Sequence, residues 1–345
     1  MSAVFIRGVG AVSPAGWGVA ALRQTLQQGQ AVRTNEVTQP NWPHPLRIRN
    51  VPRPAARPGF VTHPRLRRSS PIAQYAVGAA LEALGSDAQS ATKGSLRLGI
   101  IFCAMAGCVT YSRRFYDEIL KDPSTASPLL FPETVFNAPA SHLAALLGTT
   151  AINYTLVGDP GTFLQGIALG ADWLLIGKVD RCLVIGAEEL DWLVAEAIHL
   201  FDKEAIIGEG AGALYLASEP NGGVPVELKA VTTPRLLSGK QSRAPIARQT
   251  RAELNLPNES ECLLCDGLQG IARLDEDEQA SWTGWKGDRL SVKTVCGEGL
   301  MAAAAWQCVA AVDSLNQEKY SGATVSIVGT NQQAIAAQFG KSPSR

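Results

Sequence analysis

Thr155 to Glu189 reads TLVGDPGTFLQGIALGADWLLIGKVDRCLVIGAEE. An apolar strand runs into the tight turn Gly158-Asp159-Pro160-Gly161. A helical pattern follows from Thr162 to Ile176, then a Gly177-Lys178-Val179-Asp180 corner, then a second buried strand over Arg181–Ile185. Asp159 suits an N-cap and Pro160 the first helical position, where its missing N–H costs nothing.

The same alternation extends along the chain. Apolar runs at Val4–Ile6, Leu98–Phe102, Ala151–Leu156, Ala211–Leu216, Val224–Ala230, Ser260–Leu264 and Thr324–Val328 are expected as buried strands. Helical periodicity marks Trp17–Gln28, Ile72–Leu84, Ala138–Leu147 and Leu300–Leu315. The segment Gln39–Phe60, rich in Pro and Arg, is expected as an irregular surface loop. The chain has 345 residues, 46% of them hydrophobic and 18% charged, enough apolar side chains for a large sheet core. An α/β layered fold is expected.

Lys+Arg and Asp+Glu are equal at 31 each. This balance gives no electrostatic ground for binding nucleic acid or an anionic membrane. No apolar stretch reaches the length of a membrane span, and the N-terminus enters a strand directly, so cytoplasmic residence is expected. Seven cysteines are expected as reduced thiols. Cys262 and Cys265 form a C-x-x-C without a second pair or nearby histidine, so they read as strand thiols and not as zinc ligands. No cofactor or metal site is expected: the Gly8-x-Gly10 and Gly208-x-Gly210-x-Gly212 runs lack dinucleotide spacing. The basic run Arg65, Arg67, Arg68 flanks the helix starting near Ser69, where it caps or solvates that helix or docks an acidic carrier protein.

The Thr155–Glu189 block resembles the nucleophile segment of β-ketoacyl synthases of the thiolase fold: roughly T-V-S-T-A-C-A-S-G, a helix, G-x-A-D and a strand ending G-A-E. Ile6-Arg7-Gly8-Val9-Gly10-Ala11-Val12-Ser13-Pro14 is similar to the opening strand I-T-G-x-G-x-V-x-P. Phe136-Asn137-Ala138-Pro139-Ala140 is similar to the entry into the helix ahead of the nucleophile strand. Gly208-Glu209-Gly210-Ala211-Gly212 is similar to the G-E-G-A-G strand. The resemblance implies two related βαβα halves, residues 1–220 and 221–345 of one compact unit, in a five-layer α-β-α-β-α arrangement.

Aligned without a gap, the family's reactive cysteine falls on Pro160, which cannot be acylated. The two family histidines fall on Asp266, after Cys262-Leu263-Leu264-Cys265, and on Glu298, in Lys293-Thr294-Val295-Cys296-Gly297-Glu298-Gly299. The four histidines, His44, His63, His142 and His199, all precede residue 200. Two carboxylates in place of imidazoles would repel the enolate formed on decarboxylation. Asp159, Thr162 and Lys293 are the candidates for a residual site, although no histidine lies in the Thr155–Glu189 segment to activate a hydroxyl.

The resemblance then implies a non-catalytic subunit, similar to the chain length factors of type II polyketide and polyene systems. Its partner would be an active β-ketoacyl synthase, which would bring the acyl carrier protein. The dimer strand would be Ala151, Ile152, Asn153, Tyr154, Thr155 and Leu156. Met105, Tyr111, Phe115 and Phe131 would line the partner's acyl tunnel. Only Leu190–Ile207 bridges the G-A-E strand and G-E-G-A-G, where catalytic members carry a long insertion. Two alternatives stay open. One is a divergent decarboxylase or thioester hydrolase using Asp266 and Glu298. The other is a homodimeric acyl-binding scaffold.

Overall fold

The computed structural model describes residues 3–39, 42, 44–92, 94–150, 152–237, 243–254, 256, 259–329 and 333–342. Before residue 220 the strands are β1 (Phe5–Ser13), β2 (Gly16–Trp17), β3 (Asn35–Val37), β4 (Leu46–Arg49), β5 (Leu98–Ala104), β6 (Asn153–Val157), β7 (Arg181–Glu188), β8 (Ile207–Gly208) and β9 (Gly210–Ala217). After it come β10 (Val226–Val231), β11 (Arg235–Leu236), β12 (Cys262–Asp266), β13 (Asp288–Ser291), β14 (Gly322–Val328) and β15 (Gln333–Lys341). The helices are α1 (Val19–Gln28), α2 (Pro71–Leu84), α3 (Asp87–Thr92), α4 (Val109–Lys121), α5 (Ala138–Leu147), α6 (Thr162–Leu175), α7 (Trp192–Phe201), α8 (Ala244–Glu253), α9 (Ala272–Ser281), α10 (Val292–Cys296) and α11 (Met301–Asn316).

Twelve strands form one sheet with the main order β13-β12-β14-β15-β10-β1-β9-β7-β5-β6. The order β6-β5-β7-β9-β1 on one side is matched by β13-β12-β14-β15-β10 on the other. Each set has its last strand antiparallel, β9 against β7 and β15 against β14. The two sets meet at a short antiparallel contact, Phe5 to Glu227 and Ile6 to Val226.

Side-chain alternation along β5 sorts the layers. Ile101 and Cys103 join the core around α6 and α11, while Ile100 and Phe102 join the core around α2 and α5. Helices α6 and α11 therefore lie between the two strand sets. Helices α2 and α5 cover the first set from outside. Trp282, at the end of α9, and Leu254, just after α8, pack on Leu264 and Ala336 of the second. This is the α/β layered fold that the alternating pattern implied, in the five-layer α-β-α-β-α arrangement that the resemblance implied.

Helix α11 is buried along nearly its whole length, as its Met301-Ala-Ala-Ala-Ala-Trp306 run requires. The strands it meets have room only for glycine: a Cβ on Gly212 would stand 2.7 Å from the Ala305 Cβ. The Trp306 indole N–H donates to the carbonyls of Val12 and Ala211, fixing the helix against β1 and β9.

Gln39–Phe60 is more ordered than its composition suggested. It contains β4, which pairs with β3 and, in parallel, with β8. Leu46 and Ile48 are buried there with Ile207 and Leu300. The prolines flank the strand, where a missing donor costs nothing, and do not interrupt it.

Candidate functional site

The turn at residues 158–161 joins β6 to α6. Asp159 is buried, and its carboxylate accepts from Gly161 N at 3.1 Å, Gln333 N at 3.1 Å and Gln333 Nε2 at 2.6 Å. The expectation of an Asp159 N-cap and a helical Pro160 is corrected here. Helix α6 starts at Thr162 with Gly161 as its N-cap, and Pro160 is a buried turn residue. Asp159 still closes the turn, through its carbonyl to Thr162 N at 2.9 Å. Its side chain is directed to β15 on the other strand set.

Gln333 is a residue that sequence reading missed. Its amide oxygen accepts from Gln165 Nε2 at 2.7 Å, and its amide nitrogen lies 3.5 Å from Thr162 Oγ1. Thr155, Thr162, Gln165 and Gln333 line a cavity of about 370 Å³ beside the turn. Asp159 and Thr162 are thus brought together around one amide. Both are held as hydrogen-bond partners of Gln333, without a base that would activate the threonine.

Asp266, at the end of β12, is buried. It accepts from Ser291 Oγ at 2.6 Å, while its Oδ2 has no hydrogen-bond partner. Arg289 Nη1 lies 3.9 Å from that oxygen. Burial raises the Asp266 carboxyl. Glu278 on α9, also missed by sequence reading, is buried alongside. It accepts from Gly267 N at 3.0 Å and Ser326 Oγ at 2.6 Å. Burial, reinforced by the Asp266 charge, pushes it up to about 7. No sequence signal marked Glu278, which lies in the acidic stretch Asp275-Glu276-Asp277 and reads as solvent-facing.

Glu298 is paired with Lys293: Nζ to Oε2 is 2.7 Å, and both side chains are buried. Glu298 Oε1 also accepts from Leu300 N at 2.7 Å. Leu300 has φ 49°, a left-handed conformation unusual for leucine, immediately before α11. Asp266 and Glu298 are not hydrogen-bonded to each other. Lys293 is committed to Glu298, and Asp266 is held by Ser291. The described residues at these positions are held by buried partners, with Asp266 Oδ2 the one atom left without a hydrogen bond, and present no set of donors aimed at a developing oxyanion.

A second row of buried carboxylates closes the opposite face. Glu188 accepts from the N–H groups of Ala106 and Gly107, Glu189 from those of Ile72 and Thr110, and Glu209 from those of Val51 and Leu190. These glutamates of the G-A-E and G-E-G-A-G stretches hold loops and helix starts in place.

The predicted tunnel residues do not form one group. Met105 packs near Leu46 and Leu300. Tyr111 donates to the Arg68 carbonyl at 2.6 Å. Phe115 and Phe131 pack with tilted rings, centroids 5.7 Å apart, and Phe131 is 56% exposed. In the predicted dimer strand, Asn153–Leu156 lie in β6 and Ile152 just precedes it; Ala151 lies outside the described residues. β6 ends the sheet, with Tyr154 46% and Val157 55% exposed. The C-x-x-C cysteines are buried free thiols, as are the other five. Arg65, Arg67 and Arg68 are exposed ahead of α2. Among the described residues no group of histidine, cysteine or carboxylate side chains could hold a metal, and no helix is long and apolar enough to cross a membrane.

No family model and no curated protein matches the chain. Solved structures do. A chain of the ishigamide ketosynthase/chain length factor superposes with TM-score 0.80 at 17% identity, over 99% of this chain and 100% of that one. A β-ketoacyl synthase from Burkholderia phymatum STM815 gives 0.79 at 16%, over 99% and 100%. A chain of the complex between the ketosynthase ApeO and its chain length factor ApeC, from Xenorhabdus doucetiae, gives 0.77 at 18%, over 99% and 98%. The chain therefore carries the thiolase-like fold of these ketosynthase structures.

Proposed function

We propose that this chain is a non-catalytic ketosynthase-like subunit, a chain length factor. It pairs with an active β-ketoacyl synthase in type II polyketide, polyene or fatty acid synthesis and shapes that partner's acyl tunnel. The observation that carries the reading is β6: an edge strand with exposed Tyr154 and Val157, directly preceding the turn at Pro160, the position on which the resemblance puts the family's reactive cysteine. An apolar edge of this kind invites pairing with a second strand. The partner is an active synthase rather than a second copy because this chain supplies no acylable residue at its own turn.

Several findings support the reading. Exposed Tyr116, Leu120, Leu129, Phe131, Val135 and Phe136 concentrate in residues 116–136, a region suited to lining another subunit's tunnel. Two of the similar structures are described as ketosynthase and chain length factor together, and another as a ketosynthase with its acyl-carrier protein. Residues 1–220 and 221–345 serve as the two halves of the subunit. Seven free buried thiols fit a reducing compartment, the cytoplasm.

The test is co-expression with a candidate synthase, purification through a tag on one chain, and native mass spectrometry. A one-to-one complex supports the reading. A stable homodimer carrying bound lipid would replace it with an acyl-binding scaffold. Turnover of malonyl carrier protein by the isolated chain, lost in Asp266→Asn, would replace it with a divergent enzyme.

A further inference from the structure

At the far end of the sheet from β6, a cavity of about 270 Å³ opens between α1, the second half of α11 and the edge strand β13. Its floor is apolar: Leu22 and Leu26 from α1, Leu263 from β12 and Val309 from α11. Its mouth carries three cations and two carboxylates. Arg23 is gripped by Asp313 through two bonds of 2.6 Å, and Lys319 pairs with Asp288 at 3.3 Å. Tyr320 donates its hydroxyl to the same Asp288. The remaining cation is Arg289. It donates to the Trp282 carbonyl and lies 3.9 Å from Asp266, too far for a hydrogen bond.

An apolar chamber with, at its entrance, one guanidinium whose ion-pair carboxylate stands beyond hydrogen-bond reach matches a ligand with an apolar body and a single planar anion. Guanidinium and carboxylate match as two-pronged partners, and apolar walls with a few placed polar groups are the usual make-up of small-molecule sites. The volume lies just under the range of about 300–1,000 Å³ that holds drug-sized ligands, which limits the occupant to a small one. We propose that this cavity binds a small apolar monocarboxylate, its chain among Leu22, Leu26, Leu263 and Val309 and its carboxylate on Arg289. The site is separate from the β6 edge and from the turn at Pro160, so it does not depend on the pairing proposed above.

Octanoate and octanol, titrated into the full chain by calorimetry, test it. Octanoate is expected to bind one to one, about tenfold or more tighter than octanol, because the carboxylate alone engages Arg289. Arg289→Met should abolish that preference and leave the weaker apolar binding. Leu22→Trp should fill the floor and remove both. Gln27→Trp, at the exposed rim, should hinder entry without touching the core, which keeps the test valid should Leu22→Trp fail to fold. Thermal melts of each variant confirm folding. No saturable octanoate binding, equal affinity for the two ligands, an Arg289→Met chain that keeps its preference, or binding unchanged in Gln27→Trp would each overturn the proposal.

Discussion

The side-chain amide of Gln333 donates to the Asp159 carboxylate at 2.6 Å across 174 residues of chain. This bond fastens the turn before α6 to the last strand of the opposite set, and the Gln333 backbone N–H adds a second donor to the same carboxylate. Gln333→Leu should leave a buried carboxylate short of a partner and destabilise the chain by about 1–3 kcal/mol. Urea unfolding of the purified variant measures this; a loss below a few tenths would mean the bond contributes nothing net.

Pro160→Cys should give a slow thiol despite its place ahead of α6. The position is buried, and Asp159 beside it opposes thiolate formation. Pairing it with Asp159→Asn should speed iodoacetamide labelling by about tenfold, the effect of roughly one unit in thiol pKa. Equal rates for the two variants would show that the carboxylate does not control the turn.

Tyr154→Arg on β6 should leave the isolated chain within about 0.5 kcal/mol of its starting stability, since the side chain is nearly half exposed. It should nevertheless abolish recovery of a partner synthase in the tagged purification. A complex that survives the substitution would move the interface elsewhere.

Phe131→Ala should also be tolerated by the fold. In a reconstituted pair it should shift the product distribution toward longer chains, read by mass spectrometry of released acyl products. An unchanged distribution would remove Phe131 from the tunnel wall and leave Phe115 and Phe131 as a surface pair.

Glu278 gives the chain a predictable response to pH. Its carboxyl is raised to about 7 in the folded protein, so the folded state holds a proton that the unfolded state has released. That contribution favours folding below the ordinary carboxylate range and is lost as pH rises from there through about 7. The melting temperature should fall between pH 5 and pH 8, and Glu278→Gln should flatten that fall while keeping an acceptor for Gly267 N. Identical slopes for both chains would mean that Glu278 does not titrate in this window.

Much of the architecture was legible because buried strands and helices announce themselves through apolar periodicity: β5, β7, β9, α2 and α6 all lie where the pattern put them. β15 escaped because Gln333-Ala-Ile-Ala-Ala-Gln-Phe-Gly-Lys is built from small residues of low strand propensity, and its pairing with β10 and β14 decides its state. β4 was hidden by its flanking prolines. The site was less legible. Motif spacing singled out Pro160, Asp266 and Glu298, but Gln333 and Glu278 matter through partners far away in sequence, which no local pattern records. Asp159 looked like an N-cap because local chemistry allowed it; the competing donor on β15 lies beyond any window of sequence.

The close fit of α11 against Gly212 separates two things that a motif is often taken to report together. Gly212 measures how near a helix can approach a sheet, Gly208 and Gly210 admit neighbouring backbone carbonyls, and Glu209 fastens loops through backbone amides. None of these tasks involves a reacting atom. Packing alone can therefore demand this spelling, so the signature measures clearance in ångströms and is silent about turnover.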